Sequence, residues 1–203
     1  MGISDLGSRK AVFLDRDGVL NPTVGFDGSG RTESPLRLED FQIFPWVAAA
    51  VKILNGLGFQ IFVVTNQPAV AKGKLTSQDL SEMHFRLIQE VEKNGGCITK
   101  IYACIHHPDS QQVKVPELLA ECACRKPKPG MLFQAANEFG IDLQKSWMIG
   151  DTWKDIEAGQ AAGCQTVLVR NEIDNRGKKI KPNFTAENLL EAVKIIRREE
   201  LQV

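Results

Sequence analysis

The chain has 203 residues, 43% of them hydrophobic and 25% charged, with 25 Lys+Arg against 25 Asp+Glu. It is long enough to bury a large core, and a formal net charge of zero gives neither nucleic acid nor an anionic membrane a reason to bind. No run approaches the roughly 18 apolar residues of a membrane span. The opening MGISDLGSRK lacks the apolar segment of a signal peptide and carries Leu6 where a myristoylation signal needs Ser or Thr. The expectation is one domain over residues 1–203, a monomer working in the cytoplasm.

In chain order, AVFLD (11–15) is the first predicted strand, followed by a long polar loop. WVAAAVKILNGLG (46–58) has helical periodicity and ends at glycines. QIFVVTN (60–66) is nearly all apolar, as a parallel strand covered on both faces should be. Thr76 or Ser77 opens a helix whose Leu80, Met83, Leu87, Ile88 and Val91 share one face. CITKIYAC (97–104) is a third strand. PGMLFQAANEFG (129–140) starts at proline and stops at glycine, which favours a helix. SWMIGD (146–151) is a fourth strand, WKDIEAGQAAG (153–163) a helix and QTVLVR (165–170) a fifth strand. DNRGKKIKPN (174–183) reads as a solvated loop, and AENLLEAVKIIRREEL (186–201) as the last helix.

Alternating β and α elements predict an α/β fold with a central parallel sheet and right-handed crossovers. Ligands in such folds bind outside the carboxyl ends of the strands. Three predicted strands end there in polar residues: Asp15 and Asp17, then Thr65 and Asn66, then Asp151. The pair in FLDRDGVL (13–20) is costly in a core. Two like charges about 4 Å apart repel by roughly 4 kcal/mol at an effective dielectric near 20. Either a cation sits between them or one carboxyl holds a proton.

FLDRDG, VVTN, RKPKPG with Lys126, and GDTWKD with Asp151 and Asp155 occur in the order in which acids and a cation could converge on a phosphate. Over roughly residues 10–170 the chain resembles the haloacid dehalogenase (HAD) superfamily of phosphatases. The resemblance implies a three-layer Rossmann-like HAD fold with no cap domain. It also implies that Asp15 attacks phosphorus to form an aspartyl-phosphate, that Asp17 is the general acid and base, and that Thr65 and Lys126 bind the phosphoryl oxygens. The implied Mg²⁺ ligands are the Asp15 carboxylate, the Asp17 backbone carbonyl and the Asp151 carboxylate, so that one aspartate stays ionised on the metal while the other carries the proton. Gly18 lets the chain turn behind the nucleophile. Asp155 supports the metal shell or Lys126, or simply occupies the first turn of a helix, where acids are favoured.

Cys104, His106, Cys122 and Cys124 form a C-x-H…C-x-C set, whose three thiols and one imidazole suit a closed, structural Zn²⁺ site in the loop 104–124. His107 could replace His106 as the ligand. Cys97 and Cys164 read as small core residues in strands, and His84 as structural. The zinc loop followed by CRKPKPGM is similar to the branch of the family formed by the D-glycero-D-manno-heptose 1,7-bisphosphate 7-phosphatases, with histidinol-phosphate phosphatases as near relatives. The first implies a small-molecule sugar bisphosphate as partner and a place in the supply of nucleotide-activated heptose for surface glycan; the second, histidine biosynthesis. A catalytically silent, zinc-stabilised binding module is the alternative from another class. The resemblance places Asn21, Asn66, Gln67 and Arg125 at the substrate, with Arg125 suited to a distal phosphate. The chain departs from the pattern in two places: the specificity loop 21–44 is long, with Phe26 where tyrosine is usual, and Thr152 stands where lysine often does. Arg31 in that loop reads as an exposed arginine.

Overall fold

The structure is a computed structural model, and it describes residues 9–26, 31–169 and 181–202. The opening residues 1–8, and the predicted solvated loop apart from residues 181–183, lie outside the described residues, as do the side chains of Phe26 and Arg31. The strands are β1 (Ala11–Leu14), β2 (Val24–Phe26), β3 (Arg31–Glu33), β4 (Gln60–Asn66), β5 (Lys100–Cys104), β6 (Trp147–Gly150), β7 (Gln165–Val169) and β8 (Phe184–Ala186). The α-helices are α1 (Val47–Gly56), α2 (Ser77–Lys93), α3 (Gly130–Phe139), α4 (Trp153–Ala162) and α5 (Leu189–Glu200). No helix among the described residues is long and apolar enough to cross a membrane.

Six strands form one parallel sheet in the order β5-β4-β1-β6-β7-β8, and β2 and β3 make a separate antiparallel hairpin. Alternation along the strands divides the core. Val12, Leu14, Ile61, Val63 and Ile149 face one side and meet Val51 and Leu54 of α1, Met83 and Leu87 of α2, and Val193 and Ile196 of α5. Ala11, Phe13, Phe62, Val64 and Met148 face the other and meet Met131, Leu132 and Ala135 of α3 and Ala162 of α4. The molecule is therefore the expected three-layer sandwich. Each large apolar side chain so buried contributes about 1.5–3 kcal/mol, which is why β1, buried along its whole length, sits at the centre.

Several elements start or end away from their predicted places. β5 begins at Lys100 rather than Cys97, because the side chain of Asn55 in α1 takes both backbone groups of Cys97, accepting from its N–H at 2.8 Å and donating to its carbonyl at 3.2 Å. Cys97 is accordingly exposed, not a core residue, whereas Cys164 is buried but precedes β7. α5 begins at Leu189, capped by Asn188, whose side chain accepts from Glu191 N at 3.1 Å. The sheet has a sixth strand, β8, that was not predicted: its three residues, FTA, are too few to display a period.

Candidate active site

The strand order places β1 at the switch point between the two halves of the sheet, where open α/β sheets bind ligands. Leu14 is level with Val63 and Ile149, so the residues that follow those strands emerge at one edge. Asp15 N donates to Ile149 O at 2.9 Å, Leu20 N to Arg16 O at 2.7 Å, and Gly18 N to Asn21 O at 2.8 Å. The chain thus reverses tightly behind Asp15. Gly18 takes φ +86, and a Cβ there would lie 2.0 Å from Asp151 Oδ2. Only glycine accepts that conformation and lets Asp151 come so near.

Lys126 is 3% exposed. Its ammonium meets Asp15 Oδ1 at 2.8 Å and Asp155 Oδ1 at 2.5 Å, and donates to Val64 O at 2.6 Å. Those contacts use its three donors. Asp155 Oδ2 accepts from Thr152 N at 3.0 Å and from Thr152 Oγ1 at 2.6 Å. Asp155 thus both caps α4 and holds Lys126, and Thr152, the departure from the family pattern, fixes its orientation. Asn66 grips the Lys126 backbone from both sides, accepting from its N–H at 3.1 Å and donating to its carbonyl at 3.0 Å.

Asp17 is held differently. Its Oδ1 accepts from Arg16 Nη2 at 3.0 Å, Arg16 Nε at 3.2 Å and Asn21 Nδ2 at 2.9 Å. Its Oδ2 accepts from Gln67 Nε2 at 2.7 Å, Ser34 Oγ at 2.8 Å and Arg16 Nη2 at 3.2 Å. Gln67 also donates to Thr65 Oγ1 at 2.9 Å. Asn21 and Gln67 are 0% exposed. They surround Asp17 instead of facing solvent, whereas Asn66 and Arg125 line the cavity described below. Arg16, also 0% exposed, was not singled out from the sequence, nor was Ser34. Arg16 lies over the Phe41 ring and 3.3 Å from His84 Nε2. Burial and Arg16 lower His84 to about 4, so its ring is neutral and serves Arg16 as an acceptor.

The described residues bury four carboxylates, Asp15, Asp17, Asp151 and Asp155, against two cations, Arg16 and Lys126. Arg16 answers Asp17, and Lys126 is shared between Asp15 and Asp155, so these six buried groups carry two more negative charges than positive ones when all are ionised. Such an excess in a buried site calls for a dication or a proton. Oxygens of Asp15, Asp151 and Asp155 lie within 4.8 Å of one another. Because Asp155 already spends its oxygens on Lys126 and Thr152, Asp15 and Asp151 are the pair that fits a hard cation such as Mg²⁺. Burial is the main reason that the Asp15 carboxyl is pushed up to about 7; Lys126 opposes the rise, and Asp155 and Asp17 add to it. Burial acts on Asp17 in the same direction, but Arg16 and the hydrogen bonds from Asn21, Ser34 and Gln67 hold it below its ordinary value. The donors that hold Asp17 come from positions the motif does not specify.

A cavity of about 330 Å³ opens over these acids, and Lys72, Lys74 and Arg125 stand around it. Burial and the like charges of Lys74 and Arg125 lower the Lys72 ammonium, although Glu33 and Asp109 oppose the change.

Cys104, His106, Cys122 and Cys124 converge as a second cluster. Cys122 Sγ lies 3.4 Å from Cys104 Sγ and 3.1 Å from Cys124 Sγ, and His106 Nδ1 lies 3.6 Å from Cys124 Sγ. These are near the edge lengths, about 3.8 Å, of a tetrahedron with metal–sulfur bonds of about 2.3 Å. His107 turns elsewhere: its Nδ1 accepts from Asp109 N at 3.2 Å. Arg125 follows the cluster directly and donates to His106 O at 3.3 Å.

A family profile described as HAD-hydrolase-like matches residues 123–192. The chain is similar to a D-glycero-beta-D-manno-heptose-1,7-bisphosphate 7-phosphatase of Yersinia pestis, 38% identical over 79% of this chain and 80% of that one. A protein of the same name from Haemophilus ducreyi is 35% identical over 91% of this chain and 97% of that one. Among solved structures, the D,D-heptose 1,7-bisphosphate phosphatase of B. bronchiseptica complexed with magnesium and phosphate superposes with a TM-score of 0.76. It is 26% identical, with 94% of this chain and 99% of that chain covered.

Proposed function

This chain belongs to the HAD phosphatases, in the family of the D-glycero-D-manno-heptose-1,7-bisphosphate 7-phosphatases, and from that premise we propose that it hydrolyses the 7-phosphate of D-glycero-D-manno-heptose 1,7-bisphosphate. The product is the 1-phosphate that nucleotide activation requires. The observation that carries this reading is the cavity itself, whose lining joins the buried carboxylates and Lys126 with Lys72, Lys74 and Arg125. A substrate with two phosphates finds a reaction site and a cationic grip in one space.

In this reading Asp15 attacks phosphorus and the bond to the sugar oxygen breaks, giving an aspartyl-phosphate on Asp15. Asp17 protonates the departing oxygen and then takes a proton from the water that hydrolyses the intermediate. The incoming phosphate brings negative charge beside Asp17 and raises its affinity for the proton it must deliver. Lys126 steadies Asp15 and neutralises phosphoryl charge, Thr65 hydrogen-bonds a phosphoryl oxygen, and Asn66 fixes the loop that carries Lys126. Asp15, the Asp17 carbonyl and Asp151 would hold Mg²⁺, which would supply the remaining charge neutralisation. Arg125 holds the distal phosphate, with Asn21 and Gln67 acting through Asp17. Cys104, His106, Cys122 and Cys124 would hold Zn²⁺, which would order the loop that delivers Arg125 and Lys126.

The test compares kcat/KM on the heptose bisphosphate and on histidinol phosphate, with Mg²⁺ and with a chelator. The heptose bisphosphate should be preferred by at least about a hundredfold and its turnover should cease on chelation. A preference for histidinol phosphate, or turnover indifferent to chelation, contradicts the reading.

A further inference from the structure

The specificity loop reaches into the catalytic cluster at one point. Ser34 directly follows β3, and its hydroxyl donates to Asp17 Oδ2 at 2.8 Å. Its neighbours anchor it on both sides: Glu33 pairs with Lys74 at 2.7 Å, across to the segment after β4, and Pro35 is buried. The other side chains on the Asp17 carboxylate are Arg16, Asn21 and Gln67, all 0% exposed and set in the core. Ser34 is partly exposed and lines the cavity.

The four partners also differ in chemistry. Arg16 can only donate. Asn21 Nδ2 and Gln67 Nε2 are each committed to a second acceptor, Pro22 O at 2.9 Å and Thr65 Oγ1 at 2.9 Å, so turning either amide over breaks another bond. The Ser34 hydroxyl alone can pass from donor to acceptor by rotating one O–H bond. It can therefore hold the same carboxyl in place both before and after the proton moves.

We propose that Ser34 is a positioning residue, which holds the Asp17 carboxyl in line with the leaving oxygen and makes the delivery of the acid depend on how the β2–β3 hairpin is seated. The proposal rests on the reading of Asp17 as the general acid. It gives the lengthened loop a role in the chemical step as well as in shaping the cavity.

Leaving-group dependence tests it. A sugar alkoxide needs a proton to depart, whereas p-nitrophenolate departs without one. The ratio of kcat/KM for the heptose bisphosphate to that for p-nitrophenyl phosphate therefore reports acid delivery. Because kcat/KM runs only to the first irreversible step, it is not affected by hydrolysis of the intermediate. Ser34→Ala should lower this ratio about tenfold, and Ser34→Thr should restore most of it. Ser34→Cys, almost isosteric but a weak hydrogen-bonder, should follow Ser34→Ala and separates the effect from loss of packing. An unchanged ratio in Ser34→Ala and Ser34→Cys, or a Ser34→Thr ratio as low as theirs, overturns the proposal. Asp17→Asn separates it from its premise. If Asp17→Asn collapses the ratio while the Ser34 variants do not, only the role of Ser34 fails; if Asp17→Asn leaves the ratio unchanged, Asp17 is not the acid and both readings fall.

Discussion

Asp15 is pushed up to about 7 chiefly by burial, and this has a consequence for metal binding. Its unfolded value is 3.8, so between these two values the folded protein keeps a proton that the unfolded chain has released, and this carboxyl's contribution to stability falls as pH rises through that window. A cation that takes Asp15 as a ligand must displace the same proton. Mg²⁺ affinity is therefore expected to weaken as pH falls below about 7, with up to one proton released per ion bound at about pH 6 and almost none near pH 8.5. Calorimetry in two buffers of different ionisation enthalpy measures that number. Proton release that does not vary across this range would contradict the assignment of Asp15. At this scale the motifs disclosed the acids and Lys126, because carboxylates at strand ends are conspicuous in sequence. They did not disclose Arg16 or Ser34. Arg16 stands in plain view between the aspartates, but nothing in the spacing says that it turns inward to Asp17. Ser34 reaches Asp17 only through the tertiary course of the hairpin.

The elements that carry the site were legible where a period ran long enough. α2 is capped by Thr76, one of the two residues expected to open it, which accepts from Asp79 N at 3.0 Å, and it has its predicted apolar face. β4 covers the same seven residues, QIFVVTN, as its unbroken apolar run indicated. β2, β3 and β8 escaped because three-residue strands carry no pattern and owe their existence to a partner strand. β5 was misplaced at its start because a side chain of α1 took the backbone groups that a ladder would have used. The loop between β5 and α3 was read from ligand chemistry rather than periodicity, and its two short-spaced pairs do converge. Burial pushes the Cys104 and Cys124 thiols up, and a dication is what allows such thiols to ionise together. Cys122→Ser is expected to reduce bound zinc, by elemental analysis, well below one equivalent. It should lower the melting temperature by several degrees, consistent with the loss of about 2 kcal/mol in a chain of this size. Unaltered zinc content in this variant would refute the site.

For the whole molecule, the strand order β5-β4-β1-β6-β7-β8 fixes where chemistry can occur. It places β1 between β4 and β6, so that Asp15 and Asp17, Thr65, and Asp151 arrive at one edge from three directions, while the loop before α3 brings Lys126 across to them. The sequence order of the motifs anticipated this convergence; the balance, among the described residues, of four buried acids against two buried cations became visible only in three dimensions. The central claim is that these groups enclose one phosphoryl group and that Asp15 receives it. The most direct measurement is acid quench of the enzyme during turnover with Mg²⁺ and the heptose bisphosphate, followed by mass spectrometry of its peptides. A phosphoryl adduct confined to the peptide that carries Asp15, and absent from Asp15→Asn, is the expected result. Turnover without any adduct, or with the adduct on another residue, would contradict the account.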